Sequence, residues 1–495
     1  MRLLLVMPTG LQVGYDDYFS ASPLGIETLA AHARDLADVE LADMRGNKGH
    51  DVEAHARELL ARGPEMVGVS INSAPHTNYA LALAEALKRD RPELIVLAGG
   101  QQASFLTEEL LGGGHFDAVI RGEGERTLCE VLQRGGDFRG VAGVSWRADG
   151  GVHHGPDRPQ IEDLDEVRPP ARDLLPDRSR YRMGAYRVEG VESSRGCPFH
   201  CSFCSIRNFH RGTWRAKGVE RVMRDVDGVL ERYPEPKVIF FADDNFCHDV
   251  ERVIAICKAI VERKTDAYFW CQARADLLAR RPEMVEWMGR AQFSAVLVGL
   301  ETPNPRLLKG SRKGISVEQI EKTVEMLHAH DIGIWGTFVL GLPGETPEET
   351  DQTAEYIAKT PVDVLQITVA TPIPGSDLYD QAKAAGDILE PDWDRFDFTS
   401  PTMRGQLPKK QMDAVLHRAY RRVYLSRRFL KSLFRRRTNL DRLRRTAFRV
   451  FWAWIWFVIK DYLASWFRRR PAAAPPSGPA RGDDAPAPEP GTSTT

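Results

Sequence analysis

Short apolar runs alternate with helical patterns over the first 135 residues. Four runs read as strands, at 2–7, 66–71, 94–99 and 117–122, and the segments between them space apolar residues three and four apart, as an amphipathic helix does. Strand and helix in regular alternation predict a parallel sheet covered on both faces, a doubly wound α/β domain over 1–135. Such sheets bind ligands beyond the carboxyl ends of their strands. Here those ends are the loops around Thr9 and Gly10, around Asn72 and Ser73, at Gly99, Gly100 and Gln101, and at Gly122, Glu123 and Gly124. Glycines in such loops let a ligand approach the backbone, although plain turn glycines would look the same.

A hairpin is expected at 144–152, turning on Asp149, Gly150 and Gly151, and the Pro-rich, charged stretch after it reads as a linker, so that 136–185 joins two domains. A second alternation starts at 186. Six strand-like runs, 186–194, 237–243, 267–276, 295–301, 333–341 and 363–371, are separated by helical patterns. Repeated βα units build a right-handed parallel sheet, and six of them in an arc predict a (βα)6 partial TIM barrel over 186–379. Chemistry in such a barrel sits on the loops after the strands. Cys197, Cys201 and Cys204, Asp243 and Asp244, Arg274, Glu301, and Gly341, Pro343 and Gly344 all fall at or just past those strand ends.

The run Ser194-Arg195-Gly196-Cys197-Pro198-Phe199-His200-Cys201-Ser202-Phe203-Cys204 carries three thiols at a CxxxCxxC spacing. A 4Fe-4S cluster normally takes four thiolates, so three leave one iron open to an exogenous ligand. Zinc held by the cysteines and His200 is the competing reading, since thiolate and imidazole suit it as well. Cys129, Cys247, Cys257 and Cys271 are scattered along the chain and read as small buried apolar residues rather than as a second cluster.

The cysteine loop, following the first barrel strand, resembles that of the radical S-adenosylmethionine (SAM) superfamily. The resemblance implies that SAM binds the open iron, that an electron from a reducing donor breaks its sulfur to C5′ bond, and that the resulting 5′-deoxyadenosyl radical abstracts hydrogen from a substrate. It implies that Phe203 helps to shield the site, that Asp243 or Asp244 accepts from the SAM ammonium, and that Arg274 and Glu301 face its carboxylate and ribose. A structural salt bridge would account for Arg274 and Glu301 equally well. Gly341, Pro343 and Gly344 resemble the family loop near the adenine. A Rossmann-like domain placed ahead of such a barrel resembles the cobalamin-binding subgroup, and Thr9, Asn72, Ser73, Gly99, Gly100, Gln101, Gly122 and Glu123 are its candidate contacts. The sequence departs from that subgroup in having no Asp-x-His-x-x-Gly segment, and Gln102 stands where a histidine is common. The subgroup contains methyltransferases, a cyclase and lipid-modifying enzymes. A cobalamin-dependent C-methyltransferase is the first expectation; a cobalamin-independent radical oxidoreductase, cyclase or coupling enzyme is the alternative, and a zinc-stabilised scaffold at a membrane surface is the alternative from another class.

Composition changes this picture in two places. The net charge is only -2 among 495 residues, so nucleic acid is not an expected partner, and an odd count of seven cysteines with no basic, apolar leader places the chain in a reducing cytoplasm. Charge is nevertheless concentrated near the C-terminus: from 418 to 449 thirteen Lys or Arg stand against one acid, Asp441. The aromatic block 450–459, with Trp452, Trp454 and Trp456, follows; at ten residues it is too short to span a bilayer. Segment 380–470 therefore reads as a helical extension that lies on the inner face of a membrane, with a small-molecule or lipid substrate nearby. A helix packed on the barrel is the plainer reading of the same pattern. The Ala- and Pro-rich tail 471–495 is expected to be disordered.

Overall fold

The computed structural model describes residues 1–9, 21–45, 51–175, 177–183, 186–389 and 392–434, together with 439, 443–445, 448 and 452. The first sheet contains β1 (Arg2–Met7), β2 (Asp38–Asp43), β3 (Met66–Ser70), β4 (Ile95–Gly99), β5 (Ala118–Ile120), β6 (Val144–Ala148) and β7 (Gly151–His154). Their spatial order is β2-β1-β3-β4-β5-β6-β7. Neighbours are parallel from β2 to β5, and the β6–β7 hairpin, expected as part of the connection, continues the sheet antiparallel to β5. The strand order reverses between β1 and β3, so their carboxyl ends frame the crevice where this topology places a ligand. The sequence pattern did not reveal β2: it is an edge strand of sequence Asp-Val-Glu-Leu-Ala-Asp, in which Val39 and Leu41 are buried and charged residues alternate with them.

The second sheet is the expected partial barrel. Two-residue β8 (Arg182–Met183) precedes β9 (Tyr186–Val191); a small ribbon, β10 (Ser194–Arg195) with β11 (Arg215–Ala216), stands apart; and β12 (Lys237–Phe241), β13 (Tyr268–Arg274), β14 (Phe293–Glu301), β15 (Gly333–Leu340) and β16 (Val364–Val369) complete it. The order is β16-β15-β14-β13-β12-β9-β8, with six parallel strands and only β8 reversed. Because β16 does not pair with β9, the barrel stays open. Phe241, Phe246, Phe269 and Phe293 are buried against one another, with Phe241 and Phe246 stacked at 4.5 Å between centroids.

The Pro-rich connection is a clamp rather than a free linker. Glu189 of β9 is fully buried and accepts from Arg178 at 3.1 and 2.6 Å and from Arg172 at 3.3 Å, while Arg187 lies 3.6 Å away. Arg178 also pairs with Glu27, which is buried on helix Leu24–Ala33 of the first domain. At the far edge of the barrel, helix Lys409–Tyr424 packs on helix Pro347–Lys359. The Tyr420 and Tyr424 hydroxyls accept the edge-strand N–H groups of Ile367 (3.1 Å) and Leu365 (3.0 Å). Unpaired strand donors are thereby satisfied. Among the described residues no helix is long and apolar enough to cross a membrane. Apart from Trp452, the aromatic block lies outside the described residues, as does the 471–495 tail.

Replacing one partner of a buried ionic group strands the others, at a cost of about 3–5 kcal/mol. Glu189→Gln should therefore lower the unfolding free energy obtained from urea titration by that amount. Glu235→Gln, which removes a more exposed partner of Arg187, should cost less than about 1 kcal/mol; equal effects would show that the clamp is not buried in solution.

Candidate active site

From β9 the chain passes through β10 into the cysteine loop. Gly196 turns it with φ +89°, and a Cβ there would lie 2.4 Å from the Thr213 carbonyl oxygen, so glycine is required. The Cys204 N–H donates to the Cys201 carbonyl at 3.2 Å, closing the turn that gathers the last two thiols. Ser202 ties the loop across the barrel mouth: its N–H donates to Ser311 O (2.9 Å) and its carbonyl accepts from Leu378 N (2.8 Å). Phe203 packs into an apolar cluster with Leu307, Val339, Leu342 and Leu378. The Arg274 guanidinium lies 3.7 Å from the Phe199 ring centroid and its Nη1 lies 3.5 Å from Cys201 Sγ.

Burial pushes the Cys204 thiol up to about 12 and raises that of Cys197. Such thiols are held as thiolates only by a strongly positive centre among them. His200, which a zinc site would need, is exposed, and among the described residues no three His, Cys, Asp or Glu side chains converge as ligands of a single ion do. The donor set suits a cluster in which each thiolate takes its own iron.

Around this loop the candidate residues separate. Asp243 is fully buried, with Oδ1 accepting from Ser193 N (2.7 Å) and Oδ2 from the Ser193 and Ser194 hydroxyls (2.6 Å each). These bonds tie it to the β9–β10 turn and it does not line the cavity, which separates the two aspartates that the resemblance left as alternatives. Asp244 is the aspartate that faces the open space. Its Oδ2 accepts from Gly196 N at 2.9 Å, and burial pushes its carboxyl up to about 6, opposed by that N–H and reinforced by Asp243.

Arg274 makes the structural salt bridge anticipated as one alternative, to Asp276 (2.9 Å), and it also approaches Cys201 and donates to Lys313 O at 2.6 Å. Glu301, in the left-handed region at φ +59°, accepts from the Lys313 ammonium at 2.7 Å, and both are buried. A Cβ on Gly299 would meet this pair at 2.4 and 2.5 Å. Gly341 turns at φ +72° and its carbonyl accepts from Gln406 (2.9 Å), which also bonds Ala370 O (2.7 Å). Pro343 and Gly344 lie exposed on the rim, and the buried Glu345 folds the loop back by accepting from Leu342 N at 2.9 Å.

Between the carboxyl ends of the first sheet and the cysteine loop lies an open cavity of ≈ 390 Å³. One wall is Asn72, Gly99, Gly100, Gln101, Gly122 and Glu123; the other includes Ser194, Arg195, His210 and Asp244; Leu5, Leu24, Leu97 and Leu128 give it an apolar floor. Thr9 and Ser73 do not line it: Thr9 is buried after β1, and the Ser73 hydroxyl pairs with His76 at 3.4 Å. Gly10 lies outside the described residues. Gly100, at φ +104°, leaves no room for a Cβ, which would sit 2.5 Å from Asn72 Oδ1. The Gln101 amide donates to the Ser205 hydroxyl (2.7 Å), next to Cys204, so the two walls are stitched together.

A family model described as the radical SAM superfamily matches residues 191–357, and one described as the B12 binding domain matches 16–132. An uncharacterized methyltransferase of Pyrococcus horikoshii is 30% identical over 448 residues, covering 88% of this chain and 95% of that one. The chain belongs to the cobalamin-binding radical SAM family. A second member of similar identity is the hopanoid C-3 methylase of Methylococcus capsulatus, 30% identical over 86% of this chain and 80% of its own. The solved structure of the cobalamin-dependent SAM radical enzyme OxsB, with aqua-cobalamin and SAM bound, shares the fold at a TM-score of 0.68 and 19% identity, over 88% of this chain and 67% of that one.

This radical SAM enzyme accordingly works with a 4Fe-4S cluster, SAM and cobalamin. When bound, these cofactors supply a carbon-centred radical by reductive cleavage of SAM and a carrier for a one-carbon group. The residues present fit them: three thiols for the cluster, and for cobalamin a glycine-lined cradle above an apolar floor, where even a Cβ on Gly68 would come within 2.8 Å of Leu5 Cδ2.

Several residues of this site escaped the sequence reading. Lys313, Arg195, Glu125, Glu192, Arg215 and His210 all carry charge or hydrogen-bonding capacity within it. Arg195 stands in the cysteine motif and Glu125 beside the glycine loop, but their pairing is visible only in three dimensions. Of the remaining cysteines, Cys247, Cys257 and Cys271 are fully buried and Cys129 is half-buried, its thiol directed at His32 O (3.5 Å).

Proposed function

We propose that this enzyme transfers a methyl group from SAM, by way of cobalamin, to a carbon of a hydrophobic, lipid-like substrate. One observation carries the reading: a single cavity is shared by the glycine loops of the cobalamin domain and by Asp244 beside the cysteine loop, so a carrier and a radical source would act on one substrate position. A methyltransferase and a hopanoid methylase among the relatives support it. The reaction uses two SAM molecules, one as methyl donor and one as radical source. With its cluster reconstituted anaerobically and supplied with hydroxocobalamin, methyl-labelled SAM, a reductant and a bacterial lipid extract, the enzyme should yield S-adenosylhomocysteine, 5′-deoxyadenosine and labelled lipid together. Cys201→Ala should lose all 5′-deoxyadenosine. Formation of 5′-deoxyadenosine without S-adenosylhomocysteine or label would favour oxidation or cyclisation instead.

Within this reading Asp244 accepts from the SAM ammonium, Phe203 shields the cluster, and Arg274 and the Glu301–Lys313 pair set the charge around the SAM carboxylate and ribose. Gly341, Pro343 and Gly344 form the adenine rim. An acid raised to about 6 is charged above that pH and neutral below it. A cation needs the charged form, so SAM should bind fully at neutral pH and weaken tenfold per unit as the pH falls below about 6. Asp244→Asn should bind weakly with no such slope. Asp243→Asn should instead lower iron incorporation, because it disturbs the turn that leads into the cysteine loop. A slope that survives in Asp244→Asn would move the ammonium site elsewhere.

The substrate class fits a surface partner. Helix Arg427–Phe434 exposes Leu430 (41%) and Phe434 (89%) beside Arg427 and Lys431, while Arg428 folds onto the Val362 carbonyl, and the aromatic block follows in the sequence. Cations beside exposed apolar side chains favour an anionic membrane surface at the cytoplasmic face. The full chain should sediment with phosphatidylglycerol vesicles and be released by salt; equal sedimentation with phosphatidylcholine vesicles would show that charge plays no part.

A further inference from the structure

Glu123 belongs to the glycine loop that walls the cobalamin side of the cavity, yet its carboxylate is spent on the other domain. Oε1 accepts from Arg195 Nη1 (3.1 Å) and Arg215 Nη2 (2.9 Å), while Oε2 accepts from Arg215 Nη1 (3.1 Å) and Ile161 N (2.7 Å). The side chain is only 8% exposed. Arg195 and Arg215 are themselves direct partners across the β10–β11 ribbon. Like charges in that position repel. The ribbon that brackets the cysteine loop, with Arg195 two residues before Cys197, is thus held closed by a carboxylate from the neighbouring domain. Glu125 (2.6 Å) and Glu192 (2.9 Å) neutralise the rest of Arg195 but do not touch Arg215.

A second contact leads from Arg215 toward SAM. Arg215 Nη2 lies 3.3 Å from His210 Nδ1. A guanidinium only donates, so Nδ1 is the acceptor and the imidazole proton is on Nε2, which faces Asp244 Oδ2 at 3.6 Å. One carboxylate therefore holds the start of the cysteine loop through Arg195, and through Arg215 it holds His210, whose Nε2 stands beside Asp244.

We propose that Glu123 is a positioning residue that couples cobalamin binding to SAM binding, so that a cofactor seated against the Gly122 to Gly124 loop orders Asp244 and the cysteine loop, and SAM in turn tightens the cobalamin cradle. The proposal rests on Asp244 as the SAM ammonium acceptor. Binding free energies are coupled reciprocally, so each ligand must change the affinity of the other by the same factor.

The full chain, with its cluster reconstituted anaerobically, is titrated with SAM in the absence and presence of saturating hydroxocobalamin, and with hydroxocobalamin in the absence and presence of SAM. In the wild type each affinity should rise by at least about fivefold, the lower range of allosteric coupling, and by the same factor in both directions. In Glu123→Gln, normalised to its iron content and with circular dichroism retained, that factor should fall to near one. If Glu123→Gln does not fold, Arg215→Lys keeps the charge but loses the fork that joins Glu123 to His210, and it should lower the factor as well. A wild-type factor of one, or a factor unchanged in the folded variants, overturns the coupling. Failure of the underlying reading looks different: Asp244→Asn would then bind SAM as the wild type does.

Discussion

A carboxylate from one domain shared between two arginines of the other is the interaction on which the geometry of this site depends. Two parallel sheets present their carboxyl ends to one another across a cavity that has to admit large cofactors. The seam between them cannot be closed by apolar packing without filling that space. Charge closes it instead, with Glu123 between Arg195 and Arg215 at the mouth, and Glu27 and Glu189 around Arg178 behind. Buried ion pairs add little stability over well-packed apolar groups, because desolvation offsets their attraction. What they impose here is register: a domain displaced by a few ångströms would strand several charges at once.

The adjacent aspartates show how the same constraint assigns roles. Asp243 and Asp244 follow one strand and differ by one position, so they point to opposite sides of the chain. Asp243 turns inward and accepts three hydrogen bonds from two serines, which makes it part of the turn that leads to the cysteines. Asp244 turns outward, keeps one backbone donor and faces the cavity with a carboxyl poised near 6. Environment rather than residue type separates a structural carboxylate from one able to receive a ligand.

Much of this architecture was legible in the residues themselves. The six parallel barrel strands fall within a few positions of the runs expected for them, because buried parallel strands are continuous apolar stretches bounded by loops. Three thiols in one loop, placed after the first of those strands, already limited the chemistry. What stayed hidden was long-range pairing. Glu123 reads as a loop acid beside glycines, and its partners lie 72 and 92 residues away. Lys313 carries no motif in the sequence, and only the fold brings Glu301 of β14 against it. The polar edge strand β2 gave too weak an apolar signal, and Thr9 and Ser73, chosen as strand-end residues, are turned away from the cavity by burial and by His76.

The departure from the usual axial histidine acquires a physical meaning in this setting. The chain has no Asp-x-His-x-x-Gly segment, and Gln102, where a histidine is common in the subgroup, is buried with its amide nitrogen unpartnered among the described residues. His210 is the imidazole on the described cavity wall, and burial lowers its pKa to about 4, so it is neutral. Its neutrality does not make it a metal ligand: Arg215 occupies Nδ1, and Nε2 carries the proton. The described walls thus offer cobalamin backbone, glycine clefts and an apolar floor but no imidazole lone pair. In the reading proposed above, the glycine loops of that wall would hold the cofactor. The Gly122 to Gly124 loop proposed to hold cobalamin carries the Glu123 that bonds Arg195 and Arg215, so in that reading holding the cofactor and fixing the radical site would be one mechanical task.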